Sequence, residues 1–145
     1  MNKERLRGVN LGGWFSQVDC IEEKDPVGFP GVIEHIKTFL GTSDFKRIHE
    51  AGFNHVRFPV DYFNLFKGEE LKPDEETFAL LDKALKDIQD ADLDVILDLH
   101  KCPGHDFHLA SNHEQAFFAD ANARKDTRKI WAYMAERYSS MPRVV

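Results

Sequence analysis

Two runs in this chain, FNHVRF at residues 53–58 and DVILDL at residues 94–99, have the length and β-branched content of buried strands. Between them Phe78, Leu81, Leu85 and Ile88 recur at helical spacing, so the connection is a strand–helix–strand crossover and the two strands run parallel. A third run, RGVNL, lies upstream. Asn10 to Arg57 is 47 residues and Arg57 to His100 is 43, which gives each connection room for a right-handed crossover with helices covering the sheet. The fold class is therefore α/β with a parallel sheet. A (β/α)₈ barrel with decorated loops and a doubly wound open sheet both fit that pattern, and similarity between the units is too faint to define a repeat.

The elements follow from local signals. Residues 6–15 predict a strand that breaks at Gly12-Gly13. Residues 16–42, with Pro26, Gly28, Pro30, Gly31 and Gly41, predict a long excursion carrying one small helix around Val32, Ile36 and Phe39. Thr42 or Ser43 caps a helix that runs through Glu50 and ends with Gly52 as its C′ residue. Strand 53–58 is expected to stop at Pro59, and Pro73-Asp74 to open a helix reaching about Asp90. Strand 94–99 is followed by a helix over 115–138, with Phe118, Ile130, Trp131, Met134 and Tyr138 as its apolar surface, closed by Met141-Pro142. Residues 143–145 read as the start of a fourth strand.

Composition narrows the function. One domain is expected from 145 residues, 42% of them hydrophobic and 30% charged. A formal net charge of −6 argues against nucleic acid as the partner. No apolar run has the length of a membrane span, and MNKERLRGVN has no signal-peptide core behind its charges, so a cytoplasmic protein without membrane partners is expected. Cys20 and Cys102 make no disulfide framework. Gly12-Gly13 lacks the rest of a phosphate loop or dinucleotide turn, and G-x-S-x-G is absent.

Alternation along the strands selects the candidate site. Val95, Leu97 and Leu99 share one face; Asp94, Ile96, Asp98 and His100 share the other. The same parity groups Phe53, His55 and Arg57, and pairs Gly8 with Asn10. If the apolar sets meet the helices, Asn10, Arg57, Asp98 and His100 converge at the C-terminal ends of neighbouring strands, where barrel enzymes carry their chemistry. Asp98 and Arg57 can neutralise each other, either as a structural salt bridge or as part of a site. His55 fits a lower layer of the interior. The pattern H-x-C-x2-H-x2-H from His100 through Cys102, His105 and His108 offers zinc ligands, but it lacks paired C-x2-C spacing and a second cluster. Trp14, Phe15 and Phe107 at strand-end loops could stack on a flat ligand or simply pack, while Arg124, Lys125, Arg128 and Lys129 suit a solvated helix face.

RGVNLGGWF, AGFNHVRFPVDY and VILDLHKCPGHDF, in this order and at these intervals, resemble the opening segments of glycoside hydrolase family 5, especially its cellulase-like endoglucanases. The resemblance spans nearly the whole chain. It implies the N-terminal part of a TIM (β/α)₈ barrel, about three βα units plus the start of a fourth strand, with residues 1–145 forming a partial catalytic domain. It also implies hydrolysis of β-linked glucans or related polysaccharides with retention of configuration, and no metal or organic cofactor. Arg57 resembles the arginine that keeps the nucleophile ionised, and His100 the histidine that hydrogen-bonds sugar beside the scissile bond. Asn10 and Trp14 would line the same region, supported by Asp98. Lys101 stands where the family often has a second histidine, which implies an altered sugar contact.

Retaining glycosidases need two carboxylates about 5–5.5 Å apart. In the family these glutamates end the fourth and seventh strands, and the fourth barely starts at Arg143. The resemblance therefore places both beyond Val145, with no substitute in Asp98, Asp106 or Glu114, and implies a chain inactive alone. Its expected partner is a β-glucan or other β-linked oligosaccharide, with an extracellular location by family habit. Self-association through open barrel edges is a further expectation. Two alternatives stay open: a non-catalytic carbohydrate-binding or regulatory half-barrel, and a metal-binding α/β domain centred on Cys102, His105 and His108.

Overall fold

The computed structural model describes residues 6–105 and 117–144. The elements in chain order are β1 (Gly8–Asn10), α1 (Val18–Lys24), α2 (Val32–Phe39), α3 (Thr42–Glu50), β2 (His55–Asp61), α4 (Tyr62–Leu65), β3 (Phe66–Lys67), β4 (Lys72–Pro73), α5 (Glu75–Asp90), β5 (Asp94–Lys101) and α6 (Ala121–Tyr138). β1, β2 and β5 form a parallel sheet in that order, and β3 pairs with β4 as a small antiparallel hairpin. Val95 also bridges Val144 in parallel, its N–H donating to the Arg143 carbonyl at 2.7 Å, so a fourth strand begins on the free edge of β5.

Burial follows the alternation. Val56, Phe58 and Val60 of β2, and Val95 and Leu97 of β5, are buried against a helical layer that includes Phe45, Phe78, Leu81, Leu85, Ile88, Ile130 and Met134. On α5 the buried residues recur every three or four positions, and each fully buried Leu or Phe stabilises the fold by roughly 1.5–3 kcal/mol. Phe66, Phe78 and Tyr133, with ring centroids 5.0–5.6 Å apart, tie the hairpin to α5 and α6. Asp82 closes the α5–α6 contact by accepting from both Arg137 Nε (3.1 Å) and Nη2 (2.7 Å) and from the Tyr138 hydroxyl (2.9 Å).

Several expectations are corrected. β2 does not stop at Pro59 but runs through it to Asp61. The N–H that proline lacks would point, like those of residues 57 and 61, toward β1. Leu11 N–H donates to the Arg57 carbonyl and Asp61 N–H to the Phe15 carbonyl, and between those two bonds the chain turns away at Gly12-Gly13. Pro59 thus occupies the one position on that side where no ladder partner exists. β1 is three residues long, Gly8–Asn10, and the chain turns at Gly12-Gly13 as expected. The 16–42 excursion holds two helices rather than one. Gly41, not Thr42 or Ser43, caps α3, and its N–H is taken up by Asp44 Oδ2 at 3.0 Å. The helix expected over 115–138 breaks at Asp120, with residues 117–119 helical and α6 beginning anew at Ala121; Phe118 is exposed and Trp131 is half-exposed, neither a core residue.

Candidate functional site

On the face turned away from the helices, β1 ends on Asn10, β2 carries Arg57 and β5 carries Asp98. The register sets Asn10 opposite Arg57 and Asp98 opposite Pro59, two residues further along β2. Arg57 spans the three strands: Nη1 donates to Asn10 Oδ1 at 2.6 Å and Nη2 to Asp98 Oδ2 at 2.5 Å, with Nη2 also 3.2 Å from His100 Nδ1. His100 Nδ1 lies 3.3 Å from Asp98 Oδ2, which closes the cluster. Arginine can only donate, so its approach to Nδ1 is a hydrogen bond when the imidazole carries its proton on Nε2. The side chains of Arg57, Asp98 and His100 keep 42%, 30% and 20% of their surface. An ion pair this wet adds little to stability, and its geometry is worth more for presenting donors and acceptors to something bound at the mouth.

A bulge completes the arrangement. Val60 pairs with Leu99, but Asp61 pairs with Lys101, which leaves His100 as the extra residue of β5. Consecutive residues, which alternation would send to opposite faces, therefore both reach inner-face groups: His100 meets Arg57, and Lys101 meets Asp61.

Lys101 itself is buried. Its Nζ donates to Asp19 Oδ1 (2.8 Å) and Oδ2 (2.7 Å) on α1, stands 3.6 Å from Asp61 Oδ2, and lies 5.4 Å from the centre of the Phe63 ring. Asp61 is fully buried, and its Oδ2 accepts the Gln17 N–H at 2.7 Å. Burial pushes the Asp61 carboxyl above the usual aspartate range despite the Gln17 amide and the Lys101 charge. Burial acts in the same upward sense on Asp19, but its bonds to Lys101 and the Cys20 amide prevail and its pKa is lowered. For Lys101 burial opposes the charge, yet Asp19 and Asp61 together hold the ammonium above its ordinary range.

The structure thus brings Asn10, Arg57, Asp98 and His100 together and sends Trp14, Phe15 and Lys101 elsewhere. Trp14 does not line the mouth: it is 4% exposed, its ring stacks on Phe58 at 4.9 Å and 6°, and its Nε1–H donates to the Ile36 carbonyl at 2.8 Å. Phe15 is likewise core. Lys101 presents its ammonium to Asp19 and Asp61 rather than to an open cleft. His55 lies in a lower layer with its ring over Gly8, where an added Cβ would meet it at 2.3 Å. Cys102 and His105 exchange backbone hydrogen bonds of 3.0 and 2.9 Å across the Pro103-Gly104 turn. Asp106, Phe107, His108 and Glu114 lie outside the described residues, and among the described residues no cluster of three metal-ligating side chains forms. No described helix is long and apolar enough to cross a membrane.

Sequence reasoning passed over Asp61 and Asp19. Asp61 continues the parity of Arg57 and was hidden by treating Pro59 as a stop. Asp19, 82 residues from Lys101, carries no local signal of its role.

Residues 20–145 match the profile of Cellulase (glycosyl hydrolase family 5). The chain belongs to glycosyl hydrolase family 5. This family 5 chain is 33% identical over 132 residues to endoglucanase C of Acetivibrio thermocellus, covering 90% of its own length and 35% of that protein. It is 30% identical over 133 residues to cellodextrinase A of Ruminococcus flavefaciens, covering 92% and 36%. Among solved structures it is similar to the cellulose synthase subunit Z of Clostridioides difficile, at a TM-score of 0.65 and 26% identity over 98% of this chain and 40% of that one. It is also similar to endoglucanase Cel5A of Thermotoga maritima, at 0.62 and 21% over 96% and 38%. The family 5 chain therefore spans little more than a third of the relatives it matches, and its sheet is the N-terminal part of a TIM barrel.

Proposed function

We propose that this chain supplies part of the sugar-binding cleft of a retaining glycoside hydrolase acting on β-linked glucans. The observation that carries the reading is Arg57, which reaches from the inner face of β2 to Asn10 at the C-terminal end of β1 and to Asp98 and His100 in the C-terminal half of β5, the end at which barrel enzymes act. Sugars present rows of hydroxyls, and a fixed array of amide, guanidinium, carboxylate and imidazole groups matches them. Arg57 orients the array, and His100 and Asn10 face the sugar. Two relatives named as an endoglucanase and a cellodextrinase, and a family 5 lichenase solved with cellotetraose, support a glucan as the ligand class.

Hydrolysis needs a pair of carboxylates across the glycosidic bond. Asp98 is engaged by Arg57 and His100, and Asp61 is fully buried beside Lys101, so neither is placed for that chemistry. The 145-residue chain is accordingly expected to bind without cleaving. Calorimetric titration with cellotetraose tests the first half: Arg57→Ala is expected to weaken binding by about tenfold or more, the scale of a lost charged hydrogen bond. Binding that is absent at millimolar ligand, or indifferent to Arg57→Ala, sinks the reading. Release of shorter sugars by the purified chain sinks the second half.

A further inference from the structure

The mouth of the cleft is bordered by a second ionic cluster that the sugar contacts do not use. It joins three segments far apart in sequence: Asp19 on α1, Asp61 at the end of β2, and Lys101 at the end of β5. The Lys101 side chain is 3% exposed and that of Asp61 is not exposed at all. Buried charge is costly unless it is paired, and removing one partner from such a pair is severe, so the three groups are interdependent. Their connections define what the cluster holds. The Gln17 N–H, at the residue that opens α1, donates to Asp61 Oδ2, and the Asp19 carboxylate grips the Lys101 ammonium with both oxygens. α1 has no side-chain cap, and Val18 is its one buried residue among the described residues, so the two bonds of Asp19 to Lys101 are a direct tie between this seven-residue helix and β5. On the other side, Lys101 is covalently next to His100 and lies at the bulge that frees His100 from the β2 ladder.

We propose that Lys101, clamped between Asp19 and Asp61, is a positioning residue that fastens α1 over the cleft mouth and fixes the bulge orienting His100. Its action is indirect. Without the clamp α1 lifts, and the bulge residue His100 loses the backbone support that keeps Nδ1 against Arg57 and Asp98. The glucan reading enters only in naming what His100 meets, and the clamp is testable without any sugar.

The test uses the 145-residue chain, with amide hydrogen exchange and imidazole ¹⁵N shifts of His100 as readouts. Lys101→Met is expected to raise exchange at the α1 amides tenfold or more and to move the His100 Nδ1 signal, with α5 amides unchanged; Lys101→Arg, which keeps the charge, restores both. Unchanged α1 exchange and an unmoved His100 signal in Lys101→Met overturn the proposal. Should Lys101→Met fail to fold, Asp19→Asn decides, because Asp19 keeps 34% of its side-chain surface and leaves no carboxylate stranded. Faster α1 exchange with an intact core then supports the clamp, and wild-type exchange overturns it. A wild-type chain that passes these tests but binds no cello-oligosaccharide keeps the clamp and loses the glucan reading.

Discussion

Single residues here work through the groups they join. Arg57 is valuable for having two donor arms in a rigid plane: one meets Asn10, the other Asp98 and His100. Lysine has the charge without the fork, so Arg57→Lys is expected to keep the fold and lose most of the binding that Arg57→Ala loses, measured by the same titration. Lys101 is tied instead to stability. Its folded pKa is raised above the ordinary 10.5, so the stabilisation is complete below that value and is lost as pH rises through the folded one. Denaturation midpoints measured from about pH 9 to 12 should fall in the wild type more than in Lys101→Met. Both proteins share the alkaline loss from Tyr138, whose phenol is pushed up by burial and by its bond to Asp82, so the difference between them isolates Lys101. Sequence parity alone put Asn10, Arg57, Asp98 and His100 on one face. It sends Lys101 to the opposite face, and only the one-residue bulge returns its side chain to the inner side, where it meets Asp61.

The helix-to-strand connections repeat one solution. After α3, the Gly52 N–H donates to the His49 carbonyl (2.8 Å) and the Phe53 N–H to Ile48 (3.3 Å); after α5, Asp92 donates to Gln89 (2.9 Å) and Leu93 to Ile88 (3.3 Å). Each is a Schellman motif whose C′ residue has positive φ, 87° at Gly52 and 63° at Asp92. A side chain at Gly52 would meet nothing within 4 Å, so Gly52→Ala isolates backbone strain and should cost about 1–2 kcal/mol in urea unfolding. At the other end of α5, Asp74 accepts from the Glu76 and Thr77 amides, and Asp74→Ala is expected to cost about 1 kcal/mol by the same measurement. These ends were legible because caps are local. The cap of α3 was misplaced by one residue, since Gly41 has no side-chain signal and its N–H relies on Asp44 three residues on. The helix expected over 115–138 is interrupted at Asp120: residues 117–119 are helical, and Asp120 then caps α6 through the Asn122 amide.

At the scale of the molecule, a parallel sheet of three strands has two edges. Among the described residues, β5 is paired on its outer edge only where Val95 meets Val144. Beside it Leu97, Trp131, Met134, Ala135, Tyr138 and Val144 line a mostly apolar hollow of about 240 Å³. Unpaired strand groups next to apolar surface favour association. The chain is expected to self-associate at micromolar concentration in sedimentation analysis, and Trp131→Glu, a change at a half-exposed position, to shift it toward monomer. A wild type that stays monomeric removes this expectation. By itself the sequence determined the alternation of strand and helix, the parallel order and the polar face of each strand, because residue period and connection length are local quantities. Only the tertiary structure decided that Pro59 sits inside a strand, that Trp14 is core, and that Lys101 belongs to Asp19 and Asp61. Each of those depends on where a distant segment ends: a ladder gap opened by the turn at Gly12-Gly13, a groove lined by Ile36 and Phe58, a carboxylate 82 residues away.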